Sequence, residues 1–187
     1  MPRVVDHAAY RKWLMEQCTQ VFARHGYQIG MRDIAAALSI SKGTLYYYFP
    51  TKEQLFRAVC ESVVQADIAA LHASAPAETS LAVRLEYLLR HCQERETWFV
   101  QQYLILTEYV RASGAEAIQH NPAITAATQA YTQAIADYLG VQQPATISGI
   151  LMFINGLILQ RYLDGQQTDF AHMARWMIDL VARGEER

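Results

Sequence analysis

Hydroxyl, lysine and tyrosine side chains are concentrated in one short segment, residues 39–49, which reads SISKGTLYYYF. Ser39 and Lys42 have the Ser-x-x-Lys spacing of a penicillin-binding nucleophile, but no Ser-Asp-Asn or Lys-Thr-Gly motif accompanies them. Lys42 can instead donate to guanine acceptors or to phosphates, and Thr44 can bond a base edge or touch a thymine methyl. The segment therefore favours nucleic-acid recognition over catalysis.

The other reactive side chains form no recognisable catalytic or metal site. In HCQERE, residues 91–96, His91 and Cys92 are adjacent on a helix and diverge, so we interpret this segment as a surface charge run. Cys18, Cys60 and Cys92 are widely spaced without a Cys-x-x-Cys, which indicates small buried residues in a reducing compartment. No glycine-rich phosphate loop occurs. We expect no enzyme activity, no metal and no cofactor.

Charge is distributed unevenly along the 187 residues. The formal net charge is −2, yet residues 1–60 carry eight basic and four acidic side chains, and the remainder carries eight basic and fourteen acidic ones. A basic N-terminal part joined to an acidic body predicts a polyanionic partner for the first part only.

Nearly every segment has apolar residues at helical spacing, and none shows sustained alternation. We predict an all-α fold of about nine helices, with a three-helix head and a larger helical body. Gly26 ends the first helix, Ser41 begins the third, and Thr51 begins a fourth that runs to about residue 74, before a break at Pro76.

The N-terminus lacks an apolar run long enough for a signal peptide. The most apolar stretch, residues 147–163, contains Asn155, Gly156, Gln160 and Arg161, so we interpret it as a buried helix rather than a membrane span. A cytoplasmic location is expected.

The head has the spacing of a helix-turn-helix. The second helix ends near Leu38, a turn covers residues 39–41, and the third helix starts at once. Such a turn places the N-terminal end of the third helix in the DNA major groove. Ser41, Lys42, Gly43 and Thr44 occupy that end, and the missing side chain of Gly43 would let the backbone approach DNA closely.

The segment VFARHGYQIGMRDIAAALSISKGTLYYYFPTKEQLFRAV resembles the N-terminal domain of the TetR (tetracycline repressor-like, TetR/AcrR) family of bacterial transcription regulators. One departure lies before Arg32, where the segment is one residue shorter and Gly30 replaces the usual Ser or Thr cap. The resemblance implies a DNA-binding domain over residues 1–50 and a ligand-binding and dimerisation domain over residues 51–187, with residues 51–74 as the connecting helix. It implies these DNA-contacting residues: Arg32, Ser41, Lys42, Gly43, Thr44, Tyr46, Tyr47, Tyr48 and Lys52.

The family resemblance also implies a homodimer, a palindromic double-stranded operator and, in the usual mode, repression relieved by a small effector. The residues agree, because the helix of residues 144–163 is apolar around most of its circumference and must be covered on all sides. The candidate dimer residues are Ile147, Ile150, Leu151, Ile154, Leu157, Ile158, Phe170, Met173, Trp176, Met177 and Leu180.

A pocket for a largely apolar or aromatic effector is expected in the body, where aromatic residues are dense and a few polar groups interrupt them. The candidate effector residues are His91, Trp98, Phe99, Tyr103, Tyr131, Met152 and Asn155. Aromatic residues at helical spacing also suit a plain core. The alternative function is a helical interaction protein whose head does not bind DNA.

Overall fold

The computed structural model describes residues 6–73, 80–114, 116 and 120–185, and the break expected at Pro76 lies outside them. All nine regular elements in these residues are α-helices, as the sequence predicts. They are α1 His7–His25, α2 Met31–Ala37, α3 Lys42–Tyr48, α4 Lys52–Ala73, α5 Leu81–Glu94, α6 Glu96–Ser113, α7 Pro122–Leu139, α8 Pro144–Leu163 and α9 Phe170–Glu185.

Local capping explains where the helices begin and end. The Ser41 side chain accepts from the Thr44 N–H at the start of α3, and the Thr51 side chain accepts from the Gln54 N–H at the start of α4. Gly26 ends α1 with a φ of 71°, in the left-handed region that favours glycine. The caps predicted from the sequence are therefore confirmed. Gly30 begins α2 without a side-chain cap.

The chain divides into two compact units. The first contains residues 1–66 and 102–127, and the second contains residues 67–101 and 128–187. The second half of α6 thus belongs to the same unit as the predicted head. The boundary at residue 50 concerns function rather than compactness and stays a prediction.

The core of the first unit fixes α3 between α1, α2 and α4. Leu45 and Phe49, four residues apart, are 0% and 1% exposed and anchor one side of α3. They share this core with Phe22 of α1, Ile34 of α2 and Leu55 of α4. Burial of these apolar side chains leaves the opposite side of α3 on the surface.

The second unit is built on α5, which contacts both α8 and α9. Leu85, Leu88 and Leu89 of α5 are buried at helical spacing, and Ile150 and Ile154 of α8 are buried as well. An ion pair links α8 to the start of α6, because the Arg161 guanidinium donates to the Glu96 carboxylate over 2.7 Å. Both side chains are nearly buried, so the charges are screened little by solvent.

Helix α8 is covered on one side only. Its inward positions are buried, but Met152 and Leu163 are 69% and 70% exposed. Within one chain the body covers one side of this helix, and the other side, which is expected to meet a partner subunit, is exposed. By length and composition alone, α8 is the one helix in the described residues that could cross a membrane, and 33% of its apolar window is buried. Core helices of soluble proteins share these features.

Candidate nucleic-acid interface

The first turn of α3 presents three small or polar residues at the surface. Ser41 holds this turn, because its hydroxyl accepts from the Thr44 N–H at 2.9 Å and also lies 2.8 Å from the Thr44 hydroxyl. Lys42 and Gly43 are exposed. A Cβ placed on Gly43 would meet only the Ser41 hydroxyl, at an ordinary 3.7 Å, so packing within the chain does not require glycine here. The open space lies on the outer side of the helix, where a partner's backbone could approach.

The turn before α3 is closed by a residue in an uncommon conformation. Ser39 has a φ of 54°, in the left-handed region that side chains other than glycine adopt rarely. Its N–H donates to the Ala36 carbonyl, and the next N–H, of Ile40, donates to the Ala35 carbonyl. These bonds reverse the chain tightly between α2 and α3. Ser39 therefore serves the turn, and the Ser-x-x-Lys spacing reflects local structure.

The three consecutive tyrosines point in three directions. Tyr46 is 38% exposed, and the Lys42 ammonium lies 5.2 Å from its ring centroid, so the two form a paired surface. Tyr47 is 70% exposed, although its ring edge contacts Tyr48. Tyr48 is half-buried, its hydroxyl lies 2.8 Å from the His7 ring nitrogen Nδ1, and its ring packs on Tyr10. Tyr48 thus joins the end of α3 to the start of α1.

The other two predicted DNA-contacting residues, Arg32 and Lys52, differ in exposure and in side-chain contacts. Arg32, the second residue of α2, is exposed. Lys52 is half-buried, with its ammonium 4.2 Å from the ring centroid of Tyr27, and burial lowers the pKa of this ammonium. The Tyr27 ring therefore orients the Lys52 ammonium at the start of α4.

The segment HCQERE is only partly a surface charge run. Asp67 of α4 is 3% exposed and accepts from Arg95 and from the Tyr131 hydroxyl, the latter at 2.6 Å. His91 is half-buried, and burial is the main cause that lowers the pKa of its imidazole. Arg95 and Glu96 both form internal ion pairs and Cys92 is buried, so four of the six residues turn inward.

The predicted effector residues differ in burial and in the unit to which they belong. His91, Trp98, Phe99 and Tyr131 are partly buried in the second unit, whereas Tyr103 belongs to the first. Met152 and Asn155 are on the exposed side of α8. The described residues contain no group of three or more His, Cys, Asp or Glu side chains able to hold a metal.

Sequence reasoning missed Asp67 and Arg95, which bring the polar part of the body together. A signal for Asp67 was present, because the residue follows buried Val64 by three positions and precedes buried Leu71 by four. A carboxylate on the apolar side of a helix requires a buried partner. No comparable pattern marks Arg95, whose partner lies in a different helix.

Most of the predicted dimer residues lie in the core of the second unit. Seven of them are at most 5% exposed and have almost no surface left for a second copy: Ile147, Ile150, Ile154, Leu157, Ile158, Phe170 and Met177. Leu151 and Met173 are half-buried, while Trp176 and Leu180 are 51% and 54% exposed. The Trp176 ring stacks on Phe153 of α8, with 5.9 Å between the ring centroids.

The exposed apolar surface of the last two helices coincides only in part with the predicted dimer surface. It consists of the exposed large residues of the last two helices: Met152, Leu159, Tyr162, Leu163, Trp176 and Leu180. We call these residues the α8–α9 patch. Two glycines of α8, Gly149 and Gly156, have nothing within 4 Å of an added Cβ, so the helix backbone is accessible beside the patch.

Known proteins resemble the chain in the sequence of one segment and in the fold of nearly its whole length. Residues 14–59 match the family of bacterial regulatory proteins, tetR family. YvaF, an uncharacterized HTH-type transcriptional regulator of Bacillus subtilis, is 38% identical over 53 residues, which span 28% of each chain. The match thus leaves most of the length of both proteins unmatched.

Solved structures extend the likeness of fold to nearly the whole chain. The multidrug binding protein EbrR, complexed with imidazole, has a TM-score of 0.70 at 20% identity, over 96% of this chain and 93% of its own. A putative transcriptional regulator from Saccharomonospora viridis, in complex with choline, has a TM-score of 0.72 at 20% identity, over 94% and 97%. At such identities these likenesses concern the fold.

Proposed function

We propose that the chain, whose residues 14–59 match the tetR family of bacterial regulatory proteins, is a transcriptional regulator of that family. In this proposal it binds a palindromic operator as a homodimer and represses transcription until an effector releases it. It would act by binding, without catalysis, in the cytoplasm where DNA is accessible.

One observation carries the DNA-binding proposal: a short helix is anchored by core residues and exposes a polar edge. Leu45 and Phe49 fix α3 from inside, and Lys42, Tyr46 and Tyr47 remain on the surface. A helix held this way can enter the major groove without rearranging. The excess of basic residues in the first sixty supplies attraction to phosphate.

The α8–α9 patch supports the homodimer. Six large apolar side chains exposed on the last two helices indicate an interaction surface. A second copy would cover the patch symmetrically, since the same residues would meet in both chains. Two heads then contact two half-sites and double the number of phosphate contacts.

Effector control is supported by the polar groups buried in the second unit and by the ligands of similar structures. EbrR is complexed with imidazole, and the Saccharomonospora viridis regulator with choline. Those ligands belong to those proteins, but a helical body of this fold can evidently hold a small molecule. A coupling of about 2.7 kcal/mol suffices for a hundredfold change in operator affinity.

Operator binding is tested with a palindrome selected from random DNA by the purified protein. The double variant Lys42→Ala with Tyr46→Ala should weaken binding in a gel shift by at least about 100-fold. The matched control is Arg90→Ala with Tyr87→Ala, because Arg90 lies 4.5 Å from the Tyr87 ring on the second unit. This control removes the same kind of pair and should bind normally.

The alternative, a helical interaction protein with an inactive head, gives a different result. Selection would then yield no enriched palindrome, and the wild-type protein would bind DNA no better than the Lys42 and Tyr46 double variant. Circular dichroism should show equal helical content in all variants, which separates lost contacts from lost folding.

A further inference from the structure

Asp67 contacts Arg95 and Tyr131 in the second unit, and His91 and Trp98 lie four positions before and three positions after Arg95 in the chain. We call these five residues the Asp67 cluster. Both carboxylate oxygens of Asp67 are occupied, Oδ1 by the Arg95 guanidinium and Oδ2 by the Tyr131 hydroxyl. Asp67 is thus already paired with one cation and one hydroxyl, so a positively charged ligand would compete with the Arg95 guanidinium for this carboxylate.

The Asp67 cluster is also balanced in charge. Asp67 and Arg95 contribute one charge of each sign. Burial and the neighbouring carboxylate raise the pKa of the Tyr131 phenol, so this group stays neutral. Burial lowers the pKa of His91, which favours its neutral form at physiological pH. A ligand with a net charge of either sign would add an unpaired charge beside the buried Asp67 carboxylate.

Two nitrogen atoms of the Asp67 cluster are buried without an acceptor among the described residues. These are Arg95 Nε and Trp98 Nε1. Both atoms can only donate, since neither guanidinium nor indole accepts a hydrogen bond. The Phe99 N–H donates to the Arg95 carbonyl at 3.1 Å, so Trp98 follows Arg95 within the first turn of α6. Side chains three residues apart on a helix are neighbours.

Occupied acceptors, balanced charge and unused donors together define what would fit. We propose that the Asp67 cluster is the effector site and that the effector is an uncharged molecule with a carbonyl-type acceptor oxygen on an aromatic or otherwise apolar body. The oxygen takes the free Trp98 and Arg95 donors, and the body packs on the surrounding rings. This inference rests on the proposed effector control and specifies its chemistry.

Four naphthalene probes that differ in one substituent test the inference on the full chain without DNA. They are acetylnaphthalene, with a neutral acceptor; isopropenylnaphthalene, its hydrocarbon analogue; naphthoate, an anion; and naphthylmethylamine, a cation. Isothermal titration should show acetylnaphthalene binding at least about tenfold more tightly than each of the others.

The Trp98→Phe variant keeps an aromatic ring and removes the indole donor. It should reduce the preference for acetylnaphthalene over isopropenylnaphthalene to within about threefold. The matched control is Trp13→Phe, at an indole of α1 in the first unit that is 38% exposed. This control should keep the full preference.

Several outcomes would overturn the inference. Equal affinity for the ketone and the hydrocarbon would mean that ordered water satisfies the donors. Tightest binding of naphthoate or naphthylmethylamine would mean that Arg95 or Asp67 recognises charge, and binding of none of the probes would remove the site. Operator binding is a separate measurement: its absence with the ketone preference intact would contradict the proposed function and leave the ligand chemistry standing.

Discussion

At the scale of single residues, the three adjacent tyrosines have different environments. Tyr46 pairs with Lys42 on the surface, Tyr47 is the most exposed of the three, and Tyr48 is bonded to His7. Adjacent residues on a helix point about 100° apart, so one short segment presents its side chains to three different surroundings. The contact with His7 makes Tyr48 a bracing residue, and the exposure of Tyr47 leaves it available to DNA.

This division predicts opposite effects for two hydroxyl deletions. Tyr47→Phe should weaken operator binding about fivefold to tenfold, because we propose that its exposed hydroxyl donates to a phosphate, and it should leave the unfolding free energy unchanged. Tyr48→Phe should cost about 0.5–1 kcal/mol of stability, because it loses the bond to His7. Gel shifts and urea unfolding measure the two effects.

The control for the Tyr48 effect is His7→Ala, which removes the other side of the same bond. The double variant should cost no more than the larger single change. Unchanged DNA affinity in Tyr47→Phe would contradict the assignment of Tyr47 to the backbone of DNA.

His91 gives the stability of the protein a pH dependence of known sign. Burial lowers the pKa of its imidazole first, and the Arg95 charge adds to this, against opposing effects of Asp67 and Glu94. The unfolded chain keeps the ordinary value of 6.5 and so binds a proton at higher pH than the folded chain does. The unfolding free energy therefore falls as the pH drops through 6.5, until the folded form is protonated too.

The His91→Gln variant should flatten this decline. Urea unfolding at about pH 7.5 and about pH 5.5 measures it, since the interval covers ordinary histidine titration. The matched control, His172→Gln, changes an exposed histidine of α9 and should keep the wild-type slope. A His91→Gln slope equal to that of the wild type would show that other groups cause the decline.

At the scale of elements, α6 is fastened to the turn after α1. The Glu108 carboxylate of α6 accepts from the Tyr27 N–H at 2.8 Å. Tyr27 packs edge-on against Tyr109, the next residue of α6, and against Phe56 of α4. One carboxylate and one ring therefore connect α6 to α1 and α4 within the first unit, and movement of α6 along its axis would strain this contact.

Gly26 makes the connection possible and can be used to test it. Its φ of 71° disfavours a side chain, and an added Cβ would overlap the Glu108 carboxylate. Gly26→Ala should cost about 2–3 kcal/mol through backbone strain and displacement of the carboxylate. Glu108→Ala should cost about 1–2 kcal/mol, because the Tyr27 N–H loses its acceptor.

The double variant distinguishes coupling from independent damage. Once Glu108 is gone, the methyl group added at position 26 has no carboxylate to displace, so Gly26→Ala with Glu108→Ala should cost less than the sum of the single changes. Guanidinium unfolding provides the three free energies. Simple additivity would contradict a contact between the two sites.

At the scale of the whole molecule, the α8–α9 patch predicts the oligomeric state. Replacing both Met152 and Leu159 with arginine puts like charges opposite each other in a symmetric interface. Sedimentation should then report a monomer at micromolar concentration, and operator affinity should fall by at least about tenfold, because only one head binds at a time.

A control with arginine at two exposed glutamines, Gln93 and Gln133, adds the same charge to the second unit away from the patch. It should remain a dimer. A wild-type protein that sediments as a monomer would contradict the homodimer itself, and a dimeric Met152 and Leu159 variant would place the interface elsewhere.

The head could be predicted from sequence almost residue by residue. Its caps at Gly26, Ser41 and Thr51 are local, because each bonds atoms within four positions along the chain. Leu45 and Phe49, both buried, are four residues apart, the spacing that places two side chains on one side of a helix. The body was predicted as helices and not as contacts, since α8 is apolar on most sides and periodicity does not distinguish its inner from its outer positions.

The sequence by itself determined the all-α class, the helix boundaries and the helix-turn-helix, because capping and apolar spacing act over one or two turns. Tertiary structure alone decided that Tyr48 braces the head, that Asp67 and Arg95 meet across helices, and that the apolar surface of α8 runs through Met152 and Leu163. The physical reason is the same in each case. Whether a side chain is buried, paired or exposed depends on residues distant in the chain, and local pattern carries no information about them.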